Sequence, residues 1–175
     1  MLTDLTPFDL DISQHPAIER FVLLGHRSPE ATIELVSELH FRGFRRYWPR
    51  DLTGDHRPET FCNVFTCDYA HGMRVTLPRL LANDLFRWLH APESGGAAGW
   101  AQVLEAEAQR LANLGCPVVA VWRNPHPHKP GHIAPVVPNL GEPFTSCSNV
   151  GKRNLLRCRL VDAFGNVTPH FFANA

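Results

Sequence analysis

The sequence predicts an α+β fold, with a helical first half followed by an antiparallel sheet. Up to about residue 115 the apolar residues recur at helical spacing. Beyond residue 117 they gather into short β-rich runs bounded by Pro, Gly and Asn. With 175 residues, 44% of them hydrophobic, the chain can bury one substantial core.

Segments 15–26 and 28–44 read as two helices. Ser28 is a good N-cap, Pro29 fits the first helical position and Gly43 is a natural stop. After the loop at 47–58, "ETFCNVFTCDYAH" (59–71) has helical spacing and Gly72 closes it, so Cys62 falls in its first turn. Segments 78–91 and 99–115 read as two further amphipathic helices, the second ended by Gly115. The runs at 117–124, 132–138, 143–150, 154–164 and 168–174 read as strands of an antiparallel meander. There is no internal repeat and no low-complexity linker. The expected organisation is one compact unit, with a catalytic core over 58–175 and a helical elaboration over 1–57 packed on it.

Several function classes are set aside by composition. Seventeen basic residues balance seventeen acidic ones, and no basic block exceeds "FRGFRRYWPR" (41–50), so no nucleic-acid partner is expected. No window approaches 18 apolar residues and the first fifteen residues lack a secretory pattern. The expectation is a chain made in the cytoplasm without a signal peptide and without a membrane span. Five cysteines with no C-x-x-C pair suggest neither a disulfide scaffold nor a four-thiolate zinc site.

The chemistry centres on Cys62. A cysteine at a helix N-terminus sits at the positive end of the macrodipole beside unpaired N–H groups, which favours the nucleophilic thiolate. Amide cleavage also requires a proton for the leaving nitrogen, hence an acid/base. Of ten histidines, His132 in "KPGHIAPVV" opens a strand, where a ring can be aimed into a cleft. If residues 139–142 form a four-residue hairpin connection, His132 falls opposite Asn149 on the same face. A register slip brings Ser148 opposite instead, and Ser146 remains a diagonal alternative, so the third member stays open among the three. The set has the nucleophile, base and orienter logic of a catalytic triad.

Other residues carry weaker expectations. Tyr47 and Trp48, beside Arg45, Arg46 and Arg50, are candidates to line a groove that recognises a carboxylate-bearing peptide. Asn63 and Asn83 are candidate amide donors to an oxyanion. His126, His128 and His132 invite a zinc reading, but prolines at 125, 127 and 130 splay that loop, and no metal or other cofactor is expected. Cys67 reads as packing.

The order "ETFCNVF", then "VVAVWRNPHPHKPGHIAPVVP", then "SNVGKRN" resembles the papain-like NlpC/P60 and CHAP group of bacterial cell-wall cysteine peptidases and amidases. The resemblance covers about residues 58 to 172. It implies a nucleophile-bearing helix before an antiparallel sheet, with Cys62 as nucleophile, His132 as base and Asn149 as orienter. The implied activity is hydrolysis of a peptidoglycan amide bond through a thioester, as a lysis enzyme or an exported antibacterial effector. The stem peptide would be the substrate and an immunity protein a possible partner. Such an enzyme would act on the cell wall, in the periplasm, after non-classical export or lysis. Two departures stand out: Pro135, which removes a ladder N–H and suggests an edge-like or bulged strand, and the Ser-Asn at 148–149. Two other functions remain open: a cysteine transferase or deamidase acting on a protein, and a non-catalytic binding module with Cys62 in its core. Pairing of Cys147 with Cys158 on neighbouring strands is also left open.

Overall fold

The computed structural model describes residues 27–42, 44–51, 54, 56 and 59–175. The helix expected over 15–26 and the stop expected at Gly43 lie outside them. The described chain runs α1 (Pro29–Arg42), α2 (Phe44–Tyr47), α3 (Cys62–Gly72), α4 (Ala82–His90), β1 (Ala101–Val103), α5 (Glu105–Ala112), β2 (Val118–Trp122), β3 (His132–Val136), β4 (Ser146–Asn149), β5 (Leu155–Arg159), α6 (Leu160–Phe164) and β6 (His170–Ala173). This is a mixed fold of helices and antiparallel sheet, as expected.

The sheet has six strands in the order β1-β6-β2-β3-β4-β5, antiparallel throughout. The meander expectation holds from β2 to β5, but the last strand returns to the other side of β2. Both faces of the sheet are covered. Val119, Val121, Ile133, Val137 and Phe172 join the core beneath α1, α3 and α4. Val118, Ala120, Ala134, Val136 and Phe171 alternate with them and pack under α5 and α6.

Helix α3 is central, with every residue but His71 buried. Only small or internally satisfied polar groups can occupy such a helix. Thr66 donates to the Cys62 carbonyl at 2.8 Å, and Asp68 is bound by Arg46 and Tyr47. Gly72 lets α1 approach, since a Cβ there would lie 2.7 Å from both Leu35 methyls. At the start of α1, the Ser28 hydroxyl accepts from the Ala31 N–H at 3.1 Å, the cap its sequence position implies.

Three expectations are corrected. Segment 99–115 is not one helix. Gly99 takes a left-handed φ of 86°, residues 101–103 pair with β6, and the helix starts only at Glu105. Segment 154–164 is not one strand, because Asp162 accepts the Arg159 N–H at 3.2 Å and turns 160–164 into a helix closed by Gly165. Pro135 does not mark an edge, since β3 lies between β2 and β4 in regular register with β2. The Val137 N–H reaches Ser146 on β4, so by alternation the Pro135 nitrogen also faces β4 and offers it no donor. The irregularity falls on β4 instead, where the register with β5 shifts between Cys147 and Asn149.

His40 on α1 contacts the Ser148 hydroxyl at 2.8 Å and lies edge-on to Phe65, with centroids 4.9 Å apart. Burial pulls its pKa down to about 4 from 6.5. The unfolded chain therefore takes up a proton between these values that the folded chain refuses. Stability is full above about pH 6.5 and drains as pH falls toward 4, by at most about 3 kcal/mol and less for its partial exposure. Urea midpoints at pH 7 and pH 4.5 are expected to converge in His40→Gln relative to the wild type. An equal pH dependence in both proteins would remove His40 as the cause.

Candidate active site

Cys62 is the first residue of α3, and no side chain caps that helix end. Its thiol thus lies among orphan N–H groups, and the backbone N–H groups of Asn63 and Ile133 both favour its charged form. Ile133 belongs to β3, and His132 immediately before it opens the strand. The imidazole and the thiol are neighbours at the rim of the sheet, each shifting the acidity of the other.

The outer end of the imidazole is held by Asn149, with His132 Nε2 2.8 Å from Asn149 Oδ1. The Asn149 amide nitrogen donates to the Arg153 carbonyl at 2.7 Å. A carbonyl only accepts, so this bond fixes the amide with Oδ1 toward His132, and Nε2 must carry a proton. Nδ1 is then the nitrogen left for Cys62. The Phe164 ring supports the imidazole edge-on, with centroids 4.8 Å apart.

The two shifts in acidity are mutual. Burial alone pushes the Cys62 thiol up, but the adjacent His132 charge, its hydrogen bond and the two backbone N–H groups outweigh it and hold the thiol below its ordinary value. Burial alone pulls His132 down, but the Cys62 thiolate and the bonds to Cys62 and Asn149 outweigh that and raise it. Both directions favour a thiolate–imidazolium pair. Cys67 lies on the same helix, where the Asp68 charge adds to burial and the charges of Arg79 and Arg46 do not offset them. Its sulfur is 3.3 Å from the Pro78 carbonyl, and burial pushes its pKa up to about 12.

Cys62 opens onto a cleft of about 340 Å³. One wall is the start of α4, from Leu81 to Arg87, and the other is the loop at 127–131. Asn83 ties the walls together, donating to the Lys129 carbonyl and accepting the Asn124 N–H, both at 2.9 Å. A Cβ at Gly131 would overlap the Trp122 carbonyl and Asn83 Oδ1, so glycine is needed where the loop enters β3.

Of the sequence-derived residues, Cys62, His132 and Asn149 come together. Ser148 is bonded to His40, and the Ser146 hydroxyl is buried without a partner, so neither reaches His132. Asn63 lines the cleft, but its amide donates to the Leu80 carbonyl at 3.0 Å. Tyr47 does not line a groove. It is 1% exposed, donates to Asp68 at 2.7 Å and packs edge-on to Phe65, because a phenol on the buried face of α2 finds its partner inside the core. Trp48 is 59% exposed, and its side chain does not line the cleft at Cys62. Arg46 is likewise turned inward, to Asp68. His126 and His128 are exposed, and among the described residues no three His, Cys, Asp or Glu side chains converge as a metal site.

Phe164 and Asn83 were not foreseen in these roles. The Phe164 contact depended on reading 160–164 as a helix, for which Asp162 and Gly165 were the available signals. No protein-family model matches the chain, and no curated protein sequence matches it. No helix among the described residues is long and apolar enough to cross a membrane.

Proposed function

We propose that this chain is a papain-like cysteine amidase that hydrolyses an amide bond of bacterial peptidoglycan. The observation that carries this reading is the line of Cys62, His132 and Asn149, with Cys62 at its end lining a cleft. The order of nucleophile helix, histidine strand and orienter strand supports the papain-like assignment, and the resemblance of the motifs to NlpC/P60 and CHAP enzymes supports the substrate.

In this mechanism the Cys62 thiolate attacks the carbonyl carbon. The Cys62 N–H, at the start of α3, stabilises the oxyanion. His132 gives the proton on Nδ1 to the departing amine, leaving a thioester. It then takes a proton from water, whose hydroxide attacks the thioester and releases the acid, regenerating Cys62. Asn149 keeps the imidazole in the productive tautomer throughout. On this reading the substrate partner is the stem peptide, and the enzyme acts at the wall after non-classical export or lysis.

The test is digestion of purified sacculi by wild type and Cys62→Ala, with fragments identified by mass spectrometry. Fragments released only by the wild type establish the activity and name the bond. Sacculi left intact by folded, reduced protein overturn the substrate assignment. Asn149→Ala removes a bond to a charged imidazole, so turnover of the same fragments is expected to fall roughly 10- to 150-fold. Unchanged turnover would dismiss Asn149 as orienter.

A further inference from the structure

We propose that Cys147 and Cys158 are a modification site, forming an intramolecular disulfide with a thiol-exchanging disulfide oxidant and thereby stiffening the segment that presents Asn149. The cross-link stands independently of the amidase reading, while its consequence for the His132 orienter rests on it.

The two cysteines are directly paired across β4 and β5, with sulfurs 3.7 Å apart. Opposed residues of antiparallel strands have Cα atoms about 4.5–5.5 Å apart, inside the range that a disulfide spans. Side-chain rotation can therefore close the remaining gap to about 2 Å without moving the strands far. β5 ends the sheet, so nothing beyond it in the ladder resists a small adjustment. The other described thiols are placed differently: Cys62 beside His132, Cys67 against the Pro78 carbonyl, and Cys116 half-buried just before β2.

The geometry also sets an order of events. Cys158 is 9% exposed and Cys147 fully buried, so the oxidant meets Cys158. When the more exposed Cys158 loses its proton, the Cys147 thiol is placed to donate to the resulting thiolate across the 3.7 Å contact. The Cys158 thiolate attacks one sulfur of the oxidant's disulfide and expels the other as a thiolate. Cys147 then loses its proton and attacks Cys158 Sγ, expelling the second thiolate. Two electrons pass to the oxidant, two protons leave, and one S–S bond forms within the protein.

The closed loop contains Asn149, the Arg153 carbonyl that fixes its amide, and Gly151, where a Cβ would lie 3.7 Å from His132 Cε1. A covalent tie between the two strands limits how far this loop can open. A reducing compartment would leave the tie unmade, and an oxidising one would add it.

The experiment exposes the full chain to excess oxidised glutathione, then alkylates remaining thiols and maps the peptides. The expected result is one intramolecular disulfide joining Cys147 to Cys158, with any glutathione adduct on Cys62 or Cys116 resolved separately as a mixed disulfide. The melting temperature should rise by roughly 5 to 10 °C, reversed by dithiothreitol. Amides between the two cysteines should gain protection from hydrogen exchange. Cys147→Ser should stop at a mixed disulfide of glutathione on Cys158. Five thiols persisting in the wild type, a different cross-linked pair, or a cross-link that adds no thermal or exchange protection would overturn the proposal. None of these readouts depends on peptidoglycan, so failure of the amidase reading leaves them interpretable.

Discussion

Replacing His132 by alanine is expected to slow hydrolysis about 10²- to 10⁴-fold and to move alkylation of Cys62 to higher pH. In the wild type the imidazolium and its hydrogen bond hold the Cys62 thiol below its ordinary value against the opposing effect of burial. Removing the ring leaves burial in command, with only two backbone donors to oppose it. The thiolate fraction at neutral pH should fall, and iodoacetamide should react with Cys62 appreciably only at more alkaline pH. Cys67, with its pKa up at about 12, provides an unreactive internal reference on the same helix. An identical alkylation profile in His132→Ala and wild type would remove His132 from the site.

On the proposed mechanism the same pair should set the pH dependence of turnover, measurable as a bell-shaped rate profile. On the acid side activity rises as the thiolate forms, earlier than for an ordinary cysteine because Cys62 is held low. On the alkaline side it falls as His132 loses the proton needed by the leaving amine, later than for an ordinary histidine because His132 is held high. The two limbs belong to the pair jointly, since each charge stabilises the other.

Local signals bring out the candidate site residues, while pairing partners distant in sequence decide where the reading and the structure differ. The punctuation before Cys62 and the Pro-Gly before His132 marked the starts of a helix and a strand, and both hold. Asn149 is reached through a four-residue connection at 139–142; that turn closes, with the Glu142 N–H donating to the Asn139 carbonyl at 3.1 Å, but the strands pair only from Val137 and Ser146 outward. Val136 faces Cys147, so the observed register lies two residues further along. A two-residue shift preserves the face of every side chain, whereas a one-residue shift would have reversed it. Asn149 therefore still meets His132, diagonally rather than directly. Ala101–Val103 was hidden because its strand character comes from Phe171, Phe172 and Ala173, some seventy residues away. Tyr47 and Arg46 carried no sequence mark of their partner either. An aspartate on a predicted helix face looks solvent-exposed until the fold buries it.

That buried aspartate sets the largest stability effect expected. Asp68 and Tyr47 are each 1% exposed and Arg46 is 9% exposed. Arg46 approaches the carboxylate through Nε at 2.7 Å and Nη2 at 3.3 Å, and Tyr47 adds a third bond at 2.7 Å. Asp68→Ala removes the acceptor shared by the Arg46 guanidinium and the Tyr47 phenol, and should cost about 3–5 kcal/mol, a large share of a typical domain's stability. Urea unfolding should show a lower midpoint with an unchanged slope. The loss arises from orphaned partners more than from the attraction itself. Replacing all three by apolar groups of similar shape, as Arg46→Met, Tyr47→Phe and Asp68→Leu, should therefore recover much of it. Cys62 begins the helix that carries Asp68, so its alkylation should follow the same pattern, impaired in the single variant and restored in the triple. A single variant within about 1 kcal/mol of wild type would mean that the network is relaxed by water and does not anchor α3.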